Sequence, residues 1–321
     1  MKNIFLNPKQ LLLIIALFTL AFTSSCKNDD EEEPVVWTNG PAISEVLNDL
    51  KQFEPHDNEY TLNASTGGTV TNEGIAAIFP ADAFALENGT PYTGTVTIKM
   101  QTINSVSDML FSGITATAAG ELILSDGMLK INARDNSNNK LVLAAGKTFS
   151  LEFQNATLDP DQKLFIGEEV TNDENTVQWD STDIKGRGGE IGGGVGIDNI
   201  GQLFEFCNLD RWMNETPLTD ISVSTPTGYT NVNTECFMKY TGENSAAYIP
   251  SNFSLQKFST IGGHYQVVQG RAAKILVIAK VGSSYFYQTE NIAAIGANHQ
   301  VTITSMVGTT LTGLKTIIEN F

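Results

Sequence analysis

The chain is poor in the residues that carry most catalytic and metal chemistry, with three histidines and three cysteines in 321 positions. His56, His264 and His299 lie far apart. None falls in H-E-x-x-H or another close ligand spacing, so no metal centre is written locally. Basic residues are scarce too. Nineteen Lys and Arg stand against 36 Asp and Glu, a formal net charge of −17. With no basic stripe to offset it, such a chain repels a phosphate backbone, which excludes nucleic acid as a partner. Nor does any apolar run approach the about 20 residues that a membrane-crossing helix needs. There is no G-x-S-x-G elbow and no alternation of strands and helices to hold one. The sequence therefore points away from an enzyme, assigns no catalytic residue and calls for no cofactor.

What is present is concentrated at the start. Lys2 and Lys9 precede the apolar stretch Leu11 to Phe22, whose one polar member is Thr19. A basic segment, a short apolar core and then small residues describe an export signal that is cleaved. Ser24 and Ser25 supply the small residues, and Cys26 follows them directly, the arrangement recognised by lipoprotein signal peptidases. Residues 1–25 are thus expected to be removed and Cys26 to become an acylated N-terminus, a membrane anchor made stable by more than one acyl chain. Lys27, Asn28, Asp29, Asp30, Glu31, Glu32 and Glu33 come next. Their charge pattern predicts a solvated, self-repelling tether over residues 26–42.

Three further glycine and acid patterns resolve into ordinary turns and loops. The Gly-rich stretch 186–201 admits no G-x-G-x-x-G register and reads as a linker. Gly146-Lys147-Thr148 matches the end of a phosphate-binding loop, but Leu141 stands where its first glycine belongs. Asp135 to Asn139 has oxygens at alternate positions, yet Lys140 and Gly146 replace the glycine and glutamate of a calcium loop, which leaves a hairpin turn.

Secondary-structure signals are mostly those of strands. Ile43, Val46, Leu47, Leu50 and Phe53 recur at helical spacing, predicting a short helix in 43–56. From residue 60, short runs rich in Thr, Val, Ile and Phe, among them Ile75 to Phe79, Gly120 to Leu124, Met128 to Arg134 and Lys140 to Leu143, are separated by Gly, Asn and Asp turns, a pattern that predicts a β-sandwich. The expectation is an all-β protein: a first Ig-like sandwich over 57–155, a connector over 156–201 and a second sandwich over 202–321. A closing helix is expected on Leu311, Leu314, Ile318 and Phe321. Asp210 and Arg211 are read as a turn that buries Trp212. Cys207 and Cys236 either form a disulfide closing a loop of about 30 residues, worth ~3 kcal/mol, or remain two buried thiols.

Three resemblances add to this. The acidic run after Cys26 resembles the surface-export signal of lipoproteins from the Bacteroidetes group, which implies display at the outer-membrane surface. Gly67-Gly68-Thr69-Val70-Thr71, Gly74-Ile75 and Ile78-Phe79-Pro80-Ala81-Asp82-Ala83-Phe84 resemble, over residues 67–104, the β-sandwich domain of ankyrins, zona occludens proteins and netrin receptors. Asp82 stands where that domain usually has glycine, and the likeness implies interaction without catalysis. Asp180-Ser181-Thr182 resembles a bacterial O-glycosylation acceptor, which would modify Ser181. The function expected is a surface lipoprotein that binds a glycan, peptide or protein, or alternatively a structural subunit of an envelope or fimbria-like assembly. A platform of exposed aromatics would suit glycan binding, and Tyr229, Tyr248, Phe253, Tyr265, Tyr285 and Tyr287 are the available candidates, although alternation along strands turns most of them toward the core.

Overall fold

In a computed structural model, residues 36–38, 44–118, 121–169, 177–191, 193–203, 205–262 and 265–321 are described. The signal segment, Cys26 and the acidic run Lys27 to Glu33 lie outside them, as does His264. The fold is mostly β, with several sheets and short helices near both ends. Among the described residues no helix is long and apolar enough to cross a membrane.

The first part of the chain builds β1 (Asn58–Asn63), β2 (Gly68–Asn72), β3 (Ile75–Phe79), β4 (Phe84–Leu86), β5 (Thr95–Ile103), β6 (Thr117–Ala118), β7 (Glu121–Arg134), β8 (Lys140–Leu143) and β9 (Phe149–Phe153). It continues through β10 (Lys163–Glu169), β11 (Val177–Lys185), β12 (Arg187–Gly188), β13 (Val195–Ile200) and β14 (Phe206–Trp212). A nine-stranded sheet runs β1-β5-β7-β14-β10-β11-β6, with β8 and β4 branching from β7 and β6 returning to pair with β7. A five-stranded sheet, β12-β13-β9-β3-β2, contributes Val195, Phe153, Leu151, Phe79 and Val70 to a core shared with Val96, Ile98, Leu129 and Cys207 of the larger sheet.

Residues 156–201 are therefore not a connector. They supply β10 and β11 to one sheet and β12 and β13 to the other. Several of their glycines serve close approach: a Cβ on Gly194 would lie 2.1 Å from the Phe153 carbonyl oxygen, and one on Gly196 2.4 Å from Nη1 of Arg187. That guanidinium crosses the strand to bind Glu152 at 2.9 Å, together with Asp198, and so neutralises a fully buried carboxylate. The Asp180-Ser181-Thr182 triplet also lies within a strand, β11. Ser181 is exposed there, opposite Phe165.

The boundary expected at residue 202 is absent as well. β14 pairs with β7 on one side and β10 on the other, so the first strand of the expected second domain is central to the first sheet. Val36–Phe321 is one compact unit. Its remaining strands are β15 (Leu218–Thr219), β16 (Ile221–Ser224), β17 (Thr234–Tyr240), β18 (Ala247–Tyr248), β19 (Ser251–Asn252), β20 (Lys257–Ser259), β21 (Val267–Val268), β22 (Ala273–Val281), β23 (Ser284–Ile292), β24 (His299–Thr302) and β25 (Val307–Thr309). They form the sheets β18-β17-β22-β23-β25 and β19-β20-β16-β24 and the pair β15-β21.

Both faces of β17 and β22 are covered, which explains the unbroken apolar run Ile275 to Ala279 of β22. Phe237, Leu276 and Ile278 face three short helices, α1 (Glu45–Leu50), α2 (Val106–Ser112) and α3 (Leu311–Glu319), whereas Cys236, Met238, Ile275 and Val277 face the opposite core. β7 joins these layers, because Ile123 belongs to the helical core and its neighbours Leu122 and Leu124 to the other. Cys207 and Cys236 lie in different cores and are both free thiols, so the expected bridge is not formed.

Candidate functional site

An irregularity in β7 opens a polar recess at the first sheet. β14 pairs Asn208 with Met128 and Asp210 with Ser125, so Asp126 and Gly127 form a bulge opposite Leu209. Bulges of this kind kink a strand and re-aim its side chains. Gly127 sits at φ 142°, where a Cβ would meet the Phe153 ring at 3.3 Å and Oδ1 of Asn104 at 3.5 Å. Glycine is what lets β7, Phe153 and Asn104 converge there.

The bulge opens into a pocket of about 270 Å³ lined by Glu73, Gly74, Ile75, Asn104, Ser125, Asp126, Phe153, Asn155 and Asn244. Both parts of the chain hold it in place. Asn244 donates from Nδ2 to the carbonyl of Asn104 at 2.6 Å, and the Ser125 amide donates to Oγ of Ser245 at 2.6 Å. Asn104 in turn donates to the Glu73 carbonyl at 3.1 Å, and Thr102 donates to Oε2 of Glu73 at 2.5 Å. These bonds leave the other Glu73 carboxylate oxygen, Oδ1 of Asn104 and the whole Asn155 amide without a hydrogen-bond partner among the described residues.

Two carboxyl groups at the bulge are perturbed. Burial raises the Asp126 pKa, and a hydrogen bond donated by Gln162 opposes the rise. Behind it Asp210 is fully buried. Its carboxyl is pushed well above the usual range, chiefly by dehydration and further by the nearby Asp126 charge, while bonds from Ser125 and Asn208 act the other way. Nδ2 of Asn208 donates to Oδ2 of Asp210 at 2.6 Å, and Oδ1 has no partner.

A larger cleft of about 550 Å³ lies among Glu121, Asn214, Glu215, Leu218, Asp220, Thr260 and Gln266. Some of its polar groups are engaged within the protein, while the side chains of Glu121, Asn214 and Gln266 make no hydrogen bond among the described residues. Glu215 pairs with Arg271 at 3.0 Å, Asp220 accepts from Thr260 at 3.2 Å, and the Tyr265 hydroxyl donates to the Tyr248 carbonyl at 2.8 Å.

The six candidate aromatics do not form a platform, and most turn inward as strand alternation predicts. Tyr248 and Tyr265 are buried. Tyr229 meets Phe286 edge-on at 5.6 Å, Tyr285 donates to Asp49 at 2.7 Å, and Tyr287 packs against the helical core. Phe253 alone of the six is exposed, at 45%. The segment read as a turn around Asp210 and Arg211 is instead β14, where Arg211 approaches Asp159 at 3.6 Å and Trp212 lies edge-on to Phe165 at 5.0 Å. Lys147 donates to the Ala81 carbonyl at 2.9 Å rather than facing a phosphate loop. Asp135 caps the β7–β8 turn, accepting from the amides of Ser137 and Asn139 at 2.8 Å each.

His299 accepts the Gly296 amide at 2.9 Å. Among the described residues no three His, Cys, Asp or Glu side chains group as metal ligands. No protein-family model matches the chain, and a search of the curated proteins finds no match.

Proposed function

We propose that this protein is an outer-membrane lipoprotein, anchored through an acylated Cys26 and displayed at the cell surface, whose body is a binding module for a glycan. The observation that carries the binding reading is the pocket at the β7 bulge. Glu73 and Asp126 offer carboxyl oxygens, Asn104 and Asn155 offer amides, and Phe153 and Ile75 offer apolar wall in one recess. A sugar hydroxyl both donates and accepts, so mixed carboxyl and amide linings suit it, while its C–H faces suit the apolar wall. The reading of two sandwiches rests on the two sheets around Leu129 and Phe153 and on the sheets around Val223 and Val277, with β7 common to both halves.

Binding is tested by glycan-array and calorimetric titration of the purified chain. Asn155→Ala is expected to weaken capture by about tenfold, the scale of one lost buried hydrogen bond, without lowering Tm. Equal binding by wild type and variant would overturn the site. Anchoring is tested separately: Cys26→Ala is expected to release the protein from the membrane fraction, and retention would overturn it.

A further inference from the structure

Three large apolar side chains stand exposed on one hairpin: Phe253 at 45%, Leu255 at 41% and Ile261 at 40%. They are held as a unit. Asn252 caps the 3-10 turn Phe253–Leu255, its Oδ1 accepting from the Leu255 amide at 3.1 Å, while its Nδ2 donates to the Ile261 carbonyl at 2.9 Å. Such a cluster on a soluble surface marks a contact site.

The path of the chain says what covers it. Trp37, near the first described residue, packs edge-on against Phe258 of the same hairpin at 5.3 Å, with Val36 exposed beside it at 62%. Cys26 lies eleven residues earlier, so covalent geometry places an acyl anchor within about 40 Å of this hairpin at full extension. Charge agrees. In a chain of net charge −17, no Asp or Glu occurs between Glu243 and Glu290. Lys257 sits on the hairpin without an ion-pair partner among the described residues.

We infer that the hairpin around Phe253, Leu255 and Ile261 is a membrane-contact finger that seats the body on the lipid surface carrying its own anchor. The inference rests on the anchoring proposed above. Three partly exposed apolar residues with one lysine give weak, reversible partition, which becomes effective once acylation fixes the body nearby.

The test separates finger from anchor. Full-length mature chain carrying Cys26→Ala, and so lacking acyl groups, is sedimented with vesicles of 3:1 phosphatidylethanolamine and phosphatidylglycerol. Measurable partition is expected, reduced about tenfold or more by the triple substitution Phe253→Ser, Leu255→Ser and Ile261→Ser, with an unchanged Tm. Equal partition of the two proteins, no partition of either, or concentration-dependent dimerisation lost in the triple variant would overturn the inference. Acylation of Cys26, read by the mass of the native protein, stands or falls independently.

Discussion

Trp37 lies edge-on to Phe258 with ring centroids 5.3 Å apart, while Thr38 exchanges two hydrogen bonds with Asn231, at 3.2 and 3.0 Å. A few residues on, the Ser44 amide donates to Glu235 at 3.1 Å, and Glu45 and Asp49 pair with Lys280 at 3.1 and 2.8 Å. The point where the chain enters the body is thus bolted to strands of its later half. Anything attached upstream acts on a fixed point.

Removing that ring should loosen the entry. Trp37→Ala is expected to cost about 1–2 kcal/mol, between the worth of an aromatic pair and that of a full core deletion. Urea unfolding gives the loss, and limited proteolysis should cut faster between residues 36 and 44. Unchanged stability and cleavage would show that the ring contact carries no weight.

Asp210 makes stability fall as pH rises. Its carboxyl binds a proton in the folded protein at pH values where the unfolded chain, with an ordinary carboxyl of about 4, has lost it. Folding therefore takes up a proton. The stabilising difference is fully present below pH 4 and declines as pH climbs through the raised folded value. Asp210→Asn, which cannot ionise, is expected to flatten that decline above about pH 4 in urea titrations. The same slope in both proteins would mean that Asp210 is not the group responsible.

Much of this fold was legible because its strands obey simple patterns. Ile75 to Phe79, Lys140 to Leu143 and the C-terminal face Leu314 and Ile318 fall where apolar spacing places them. The sequence split Gly120 to Leu124 from Met128 to Arg134 at Asp126 and Gly127, which look like a turn. The structure runs one strand through them as a bulge because β14 continues the pairing on both sides. That same misreading hid the pocket. The helix Val106–Ser112 went unrecognised although Ser105 accepts the Asp108 amide at 3.1 Å, an S-x-x-D start signal readable in the sequence. The Gly-rich 186–201 misled for a different reason: composition cannot distinguish a flexible glycine from one that makes room for Arg187.

Gly127 should tie fold to site. Gly127→Ala places a methyl group at a positive φ and 3.3 Å from Phe153, so it is expected to destabilise by about 1–3 kcal/mol. Ligand capture should weaken in parallel, because Phe153 and Asn104 must shift. Thermal melting with calorimetric titration checks both, and a neutral substitution would contradict the packing described here.

Cys207 and Cys236 should behave as core atoms. Burial pushes the Cys207 thiol up to about 12 and raises that of Cys236 well above its ordinary value, so neither presents a reactive thiolate at neutral pH. Native protein is expected to resist iodoacetamide, and unfolded protein to take up two labels at these positions. Reducing agent should leave Tm unchanged. A Tm lowered by reductant would indicate a bridge.

Display at the surface is the claim on which the binding role depends. It is measured most directly by protease treatment of intact cells carrying either wild type or a variant with Asp29, Asp30, Glu31, Glu32 and Glu33 changed to their amides. Wild-type protein is expected to be digested from outside while the variant, still membrane-bound, is protected. Equal protection of the two would contradict surface display.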